Sequence, residues 1–423
     1  MFNFLITGFK KKLRPLKLKF LGLLAGGYIA SFVSVQGIQA LMPFIRREFA
    51  ISRTQAGLYS TVFFISATAV ALFSGNIVDR IGSRTGLLIG LYSMGGLFIF
   101  QGASPVYGLL LVLALLTGLG FSIITPAVNK AVMIEVEPSH RAVSMGIMHS
   151  GSGVGGFVGA AMLPALAGFI GWRLSIILTG IISLLIGLIV QRYLHVSSLE
   201  ETDEENSSEK SFSRQLYRVL KNRQLMLASG LGVVFGLAVG AIPAHYTLYL
   251  TLDLNFSEAA AGLALGVVQI GGVVGRIFWG WLSDIPFKGD RKNTFLVIMI
   301  TIVILNLTNA FAGSLLGSSL LLMMLISFML GVSALGWSGL FFTVVSERAT
   351  AEQTGMASGM ALVFLRLGVV IGPAIFGLLG DYFDHYRFSW LLLAVLVLIS
   401  GSVYYILQSR QDRKRAETSG ADS

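Results

Sequence analysis

The feature that most constrains this 423-residue chain is the repetition of charge-free apolar blocks, each about 20 residues or longer, between short polar breaks. A helix of about 20 residues crosses the roughly 30 Å hydrocarbon core of a bilayer, whereas a helix on a soluble core shows one apolar stripe and one polar face. Only 12% of the residues are charged and 54% are hydrophobic, against about 25% charged in an ordinary soluble domain. A water-soluble fold cannot cover that much apolar side chain, so lipid is the solvent for most of this protein. In lipid each backbone N–H and C=O must find its partner inside the segment, which selects helices here. The expected fold is an all-α membrane protein.

The blocks place spans at about 20–44, 56–77, 85–103, 106–129, 142–170, 174–193, 224–250, 259–283, 294–316, 318–345, 354–380 and 389–407. That is six, a polar interval, then six. The expected organisation is an N-terminal segment 1–19, a six-helix bundle 20–193, a linker 194–223, a second six-helix bundle 224–407 and a tail 408–423. The basic run from Lys10 to Lys19 superficially resembles the start of a signal peptide, but no convincing cleavage site follows it, so the first span is read as retained.

Basic residues stay on the cytoplasmic side of a membrane, and this sets the orientation. Of 31 Lys and Arg, only Arg46, Arg47, Arg53, Arg173 and Arg387 fall in one set of loops, and Arg276 and Arg366 lie inside spans. All the others fall in the opposite loops, the linker and the two ends, or, for Arg192, at the end of the sixth span next to the linker. The expectation is a multi-pass protein of the inner, cytoplasmic membrane with both termini in the cytoplasm. The net charge of +10 follows from this sorting and does not indicate nucleic-acid binding.

The chain has 50 glycines, and two sets recur every fourth residue: Gly151, Gly155, Gly159 and Gly232, Gly236, Gly240. Small residues at this spacing let membrane helices pack backbone to backbone. The two halves also echo each other. GNIVDRIGSR (75–84) follows the second span and GWLSDIPFKGDRK (280–292) follows the eighth, while GSGVGGFVG in the fifth span is matched by LGVVIGPAIFG in the eleventh. Repeated six-helix halves are how many secondary transporters build alternating access.

At these residues the chain resembles the major facilitator superfamily. Gly75, Asp79, Arg80, Gly82 and Arg84 match that family's loop signature between helices two and three, and Asp284 holds the equivalent place in the second half. The resemblance implies two pseudo-symmetric six-helix bundles, twelve spanning helices, and a gating role for this set. The same residues are equally read as fixing topology and a tight turn. GRIFWGWLSD (275–284) resembles the eighth helix of the oxalate/formate and monocarboxylate types, which implies that Arg276 contacts a substrate carboxylate and that a basic residue of helix eleven, here Arg366, completes the site. TPAVNKAVMIEVEP and SMGIMHSGSGVGGFVG resemble bacterial nitrate- and cyanate-like carriers, also anion transporters.

The residues point the same way without a family. None of the 21 acidic residues falls in the middle of a span, so no carboxylate is available there to neutralise Arg276 or Arg366. Arg276 lies about 12 Å, and Arg366 about 20 Å, inside its boundary at the helical rise. A charge at such depth costs roughly 2.5–3.5 kcal/mol on insertion scales. An anionic ligand in a wet cavity would satisfy both, and the guanidinium fork suits a carboxylate. The alternatives are that Arg276 caps helix ends and that Arg366 bonds backbone carbonyls or water.

Four polar residues of the first span, Tyr28, Ser31, Gln36 and Gln39, form one stripe, read as a cavity wall or as a polar helix contact. Gln269 shares a face with Arg276, seven residues on. His245 and Tyr246, near the outer end of the seventh span, are candidate substrate contacts; a histidine there also suits a coupled proton, or an interfacial aromatic belt. His149 has the same balance. Trp337 and Phe341 of the tenth span either flank the substrate or pack.

Cysteine is absent, which excludes disulfides and thiolate metal sites. No zinc pair or phosphate loop appears, so no enzyme activity, metal or cofactor is expected. The leading expectation is a secondary active transporter of a small anion, a mono- or dicarboxylate, with a coupled proton or exchanged anion, working as a monomer in the bilayer. The alternative is an exporter of hydrophobic drugs or metabolites, weakened in its cationic version by the missing mid-membrane carboxylate. A non-transporting receptor is the third class.

Overall fold

The computed structural model describes residues 18–196, 221–315, 319–348 and 354–421. Most of the expected N-terminal segment, most of the linker and the last two residues of the tail lie outside the described residues. Among those described, the structure is helical throughout, with no strand.

Spanning helices α1 to α12 follow in chain order: α1 Leu18–Ala40, α2 Arg53–Ile81, α3 Ser83–Gly102, α4 Tyr107–Glu135, α5 Pro138–Ile170 and α6 Trp172–Tyr193 make the first set. The second is α7 Arg223–Leu252, α8 Glu258–Asp284, α9 Arg291–Ala310, α10 Leu320–Glu347, α11 Thr354–Phe383 and α12 Arg387–Ala421. Eleven are individually long and apolar enough to cross a membrane; α2 is the twelfth, bent by 62° between Arg53–Ala71 and Phe73–Ile81. Within the bend the Ser74 hydroxyl donates to the carbonyl of Ala71 (3.0 Å), a competition for helix acceptors that favours bending. The sequence-derived spans hold, but α12 continues as a helix well past residue 407 into the polar sequence of the expected tail.

The chain divides into two compact units, Met1–Phe49 with Val62–Asp203, and Ala50–Thr61 with Glu204–Ser423. The start of α2 therefore groups with the second unit. In the first unit α1 packs on α5, α3 on α6, and α2 on α4 through Gly118; in the second, α7 packs on α11, α9 on α12, and α8 on α10. Each pairing repeats six helices later, which is the internal echo seen in the sequence.

The glycine ladders sit in these seams. A Cβ at Gly155 or Gly159 of α5 would come within 2.5 Å of the Ile29 carbonyl oxygen or 2.3 Å of that of Val33 on α1. At Gly236 or Gly240 of α7 it would lie 2.1 Å from the Leu365 oxygen or 2.3 Å from that of Val369 on α11. Backbone contact this close needs hydrogen in place of a side chain.

Helix α10 is not α-helical throughout. Gly331–Leu335 forms a π segment between Leu320–Leu330 and Ser338–Glu347. It lies on α8, where a Cβ at Gly271 would be 2.3 Å from the Phe328 oxygen and one at Gly275 would be 2.2 Å from that of Val332. Such segments carry one extra residue per turn and are frequent at functional sites.

Candidate functional site

In the second unit, packing of Gly275 against the π segment sets the position of the next residue, Arg276, which is exposed on α8. Arg366 is half-buried in the interior of α11. Its guanidinium makes no hydrogen bond or ion pair among the described residues. Gln269, one face of α8 away from solvent and 9% exposed, has an amide nitrogen with no partner. Ser333, inside the π segment, likewise has a buried hydroxyl without one.

The other predicted contacts of this unit are packed. His245 is fully buried, its Nε2 2.8 Å from the Pro373 carbonyl oxygen and its Nδ1 3.0 Å from the Tyr386 hydroxyl. Tyr246 is fully buried with its hydroxyl on Ser327 Oγ (2.7 Å). Trp337 stacks on Phe235 at 4.5 Å and meets Phe341 edge-on at 5.3 Å, its indole N–H donating to the Ala334 carbonyl (2.8 Å). Of the two readings of that residue, the observed surroundings are those of packing.

In the first unit the residues of the α1 stripe face the other helices to different degrees. Tyr28 is buried with its hydroxyl 3.4 Å from His149 Nδ1 of α5, and the two rings meet edge-on at 5.9 Å. Gln36 is half-buried, and its side-chain oxygen has no partner among the described residues; Gln39 is buried.

In the loop signature Asp79 and Arg84 find their partners outside the set. The carboxylate of Asp79 takes Lys130 Nζ of α4 at 2.7 Å, and that ammonium also reaches the carbonyl oxygens of Val78 and Asp79 at 3.4 and 3.3 Å. Arg84 donates instead to the Gln191 carbonyl near the end of α6. Arg80 is exposed, Gly75 has open space around it, and Gly82 adopts φ 84° at the α2–α3 turn, where glycine carries no steric penalty. In the second half Asp284 pairs with Arg291, which also holds Glu347 at 3.0 Å.

Sequence reasoning missed one constellation altogether. At the start of α2, Asp381 of α11 accepts hydrogen bonds from the backbone N–H groups of Arg53 (2.7 Å) and Thr54 (2.8 Å), so its carboxylate caps that helix. The Arg53 guanidinium donates through Nη1 to Asp384 Oδ1 and through Nη2 to the Asp384 carbonyl, each at 2.8 Å, and lies 3.8 Å from Asp253 Oδ1. A Cβ at Gly57 would collide with the Pro373 carbonyl oxygen at 2.4 Å and His245 Nε2 at 2.6 Å, and the Thr61 hydroxyl donates to the Val370 carbonyl (2.9 Å). These residues are far apart in the chain, and only the loop assignment of each was readable. Asp381→Ala is expected to cost about 1–2 kcal/mol, the value of a helix cap, read as a lowered melting temperature of the purified protein.

The family described as the Major Facilitator Superfamily has a sequence profile that matches residues 24–249 and 231–422. The chain belongs to that superfamily. A protein of Bacillus subtilis named as an uncharacterized transporter, YybO, is 26% identical over 414 residues, covering 91% of this chain and 92% of its own. A hexuronate transporter of the same organism is 22% identical over 389 residues, covering 88% and 90%. Among solved structures, the nucleoside transporter NupG superposes with a TM-score of 0.79 at 11% identity, covering 91% of this chain and 98% of that one. The twelve helices and their repeated pairings are thus those of a superfamily transporter, a multi-pass membrane protein and not an enzyme.

Proposed function

We propose that the chain is a secondary active transporter of a small anion, a mono- or dicarboxylate, working by alternating access, with Arg276 and Arg366 as the substrate ligands. The observation that carries this reading is the guanidinium of Arg366 in the interior of α11, which has no partner among the described residues. A half-buried cation without counter-charge is costly, and an arriving carboxylate offsets that cost with two charge-assisted hydrogen bonds. The unpartnered Gln269 amide on α8 is a second donor of the kind an anion would take up. A hexuronate is itself a sugar carboxylate, so the named relative supports the same chemistry. In this reading the protein sits in the inner membrane as a monomer with both termini in the cytoplasm. Residues 75–84 and Asp284 act as its gates.

The test is a thermal-shift screen of the detergent-purified protein against monocarboxylates, dicarboxylates, sugar acids, nitrate, cyanate and cationic dyes. A ligand that binds only the folded state stabilises it by mass action, about 2.7 kcal/mol at a hundredfold excess over Kd. Stabilisation by one class of carboxylate, lost in Arg366→Ala, is the expected result. Stabilisation only by hydrophobic cations, unchanged in that variant, would replace the anion reading with the exporter.

A further inference from the structure

The acid groups around Arg53 outnumber the base. Asp381 is committed to the start of α2, and Asp384, 95% exposed, takes both ends of the guanidinium. Asp253, at the end of α7, is left with a side chain only 12% exposed and a distance of 3.8 Å, too long for a hydrogen bond. Its Oδ2 accepts the backbone N–H of Tyr386 (2.6 Å), which leaves Oδ1 without a donor of its own.

Beside Asp253 is a cavity of about 260 Å³, roomy enough for several waters. Its lining holds donors, from Arg387 and the Ser314 hydroxyl, beside unpaired polar atoms. Asn309 is 1% exposed, and its side-chain oxygen has no partner; His385 Nδ1 has none either. An ionised Asp253 would add another acceptor to these, whereas a protonated carboxyl becomes a donor.

We propose that Asp253 is a proton-binding site, opening on this cavity, whose bound proton relieves the excess of acid over base around Arg53 at the ends of α7 and α11. The inference deepens the transporter reading by giving it a proton-responsive element separate from Arg276 and Arg366. Every charged or titratable neighbour bears on it. From α2 comes Arg53, whose charge favours ionisation; from α11 and the following connection come Asp381 and Asp384, whose charges oppose it, and His385, which lines the cavity. Arg387 of α12 lies over the Phe311 ring at 4.3 Å. On α7 the Tyr249 hydroxyl is taken by the Asn309 carbonyl (2.6 Å), and His245 is held by Pro373 and Tyr386.

Burial outweighs the pull of the Tyr386 amide and of Arg53, and it holds the Asp253 carboxyl above its ordinary range. The sign follows from linkage. A carboxyl whose value is raised in the folded state adds stability at low pH and loses it as pH rises through the raised value.

Two measurements on the full-length protein without substrate test the proposal. The first is labelling with an apolar carbodiimide, which adds to protonated carboxyl groups, at steps between about pH 5 and 8 with peptide mass spectrometry. The adduct at Asp253 is expected to persist at pH values where that at Asp384 has gone; parallel loss at the two sites, or no adduct at Asp253, overturns the proposal. The second is melting temperature against pH. The wild type is expected to lose stability on raising pH across the window above the ordinary carboxylate range, and Asp253→Asn to flatten that slope. An unchanged slope in Asp253→Asn overturns it, as does stabilisation by sodium at constant pH that disappears in the variant. Should Asp253→Asn fail to fold, the labelling of the wild type still decides. Arg366→Ala leaves both profiles intact, so a failed anion screen and a failed proton site are read separately.

Discussion

Arg366→Ala is expected to abolish uptake of the carboxylate substrate into liposomes while the protein inserts and purifies normally. Truncating one partner of a buried, hydrogen-bonded charge pair costs about 2–5 kcal/mol, which is about 30-fold to several thousand-fold in affinity. The same substitution removes a half-buried charge that has no partner among the described residues, so the empty variant should melt no lower than the wild type. Arg366→Lys keeps the charge but not the planar fork, and partial activity is expected. Arg276→Ala is expected to lose uptake as well, with full uptake in either alanine variant removing that arginine from the site.

Gly236→Val is expected to deplete the folded protein by more than tenfold, measured as the monodisperse fraction after extraction. The Cβ alone would sit 2.1 Å from the Leu365 carbonyl oxygen and 3.1 Å from the Gly368 Cα. Both obstacles are backbone, so no rotamer change relieves them, and α7 and α11 would have to separate along the seam on which their packing depends. Gly230→Ala, on the same helix with nothing within 4 Å of a Cβ, is the control and should behave as the wild type. Normal yield and melting of Gly236→Val would mean that the seam is not closed in the membrane.

The helices and their order were legible because hydropathy fixes a span without reference to its neighbours. The seams were legible too, since Gly155, Gly159, Gly236 and Gly240 announce close contact by their spacing. What spacing cannot state is the partner. Asp79 was readable as a gating acid, but that Lys130 of α4 would take its carboxylate depends on how the bundle folds. The π segment at Gly331–Leu335 was hidden because its residues are as apolar as those around it. The constellation of Arg53, Asp253, Asp381 and Asp384 was hidden for another reason. Loop charges were counted by side of the membrane, a sum that orients the chain and discards which charge meets which.

The way α2 begins has a consequence of its own. Most helices carry their cap within a residue or two of their first turn, whereas the first two free amides of α2 are bound by Asp381, more than three hundred residues along the chain. The helix therefore begins on two supports, a local capping pair in which Ser52 Oγ accepts from the Gln55 N–H (3.2 Å) and the Gln55 side-chain oxygen accepts from the Ser52 N–H (2.9 Å), and the distant carboxylate of Asp381. If Asp381 withdraws, the exposed turn presents amide hydrogens and the positive end of the helix dipole, an electrostatic socket that another anion or water must fill. A half-borrowed cap ties two amides of one helix's first turn to the whereabouts of another, while the local Ser52–Gln55 pair keeps the rest of that turn in place.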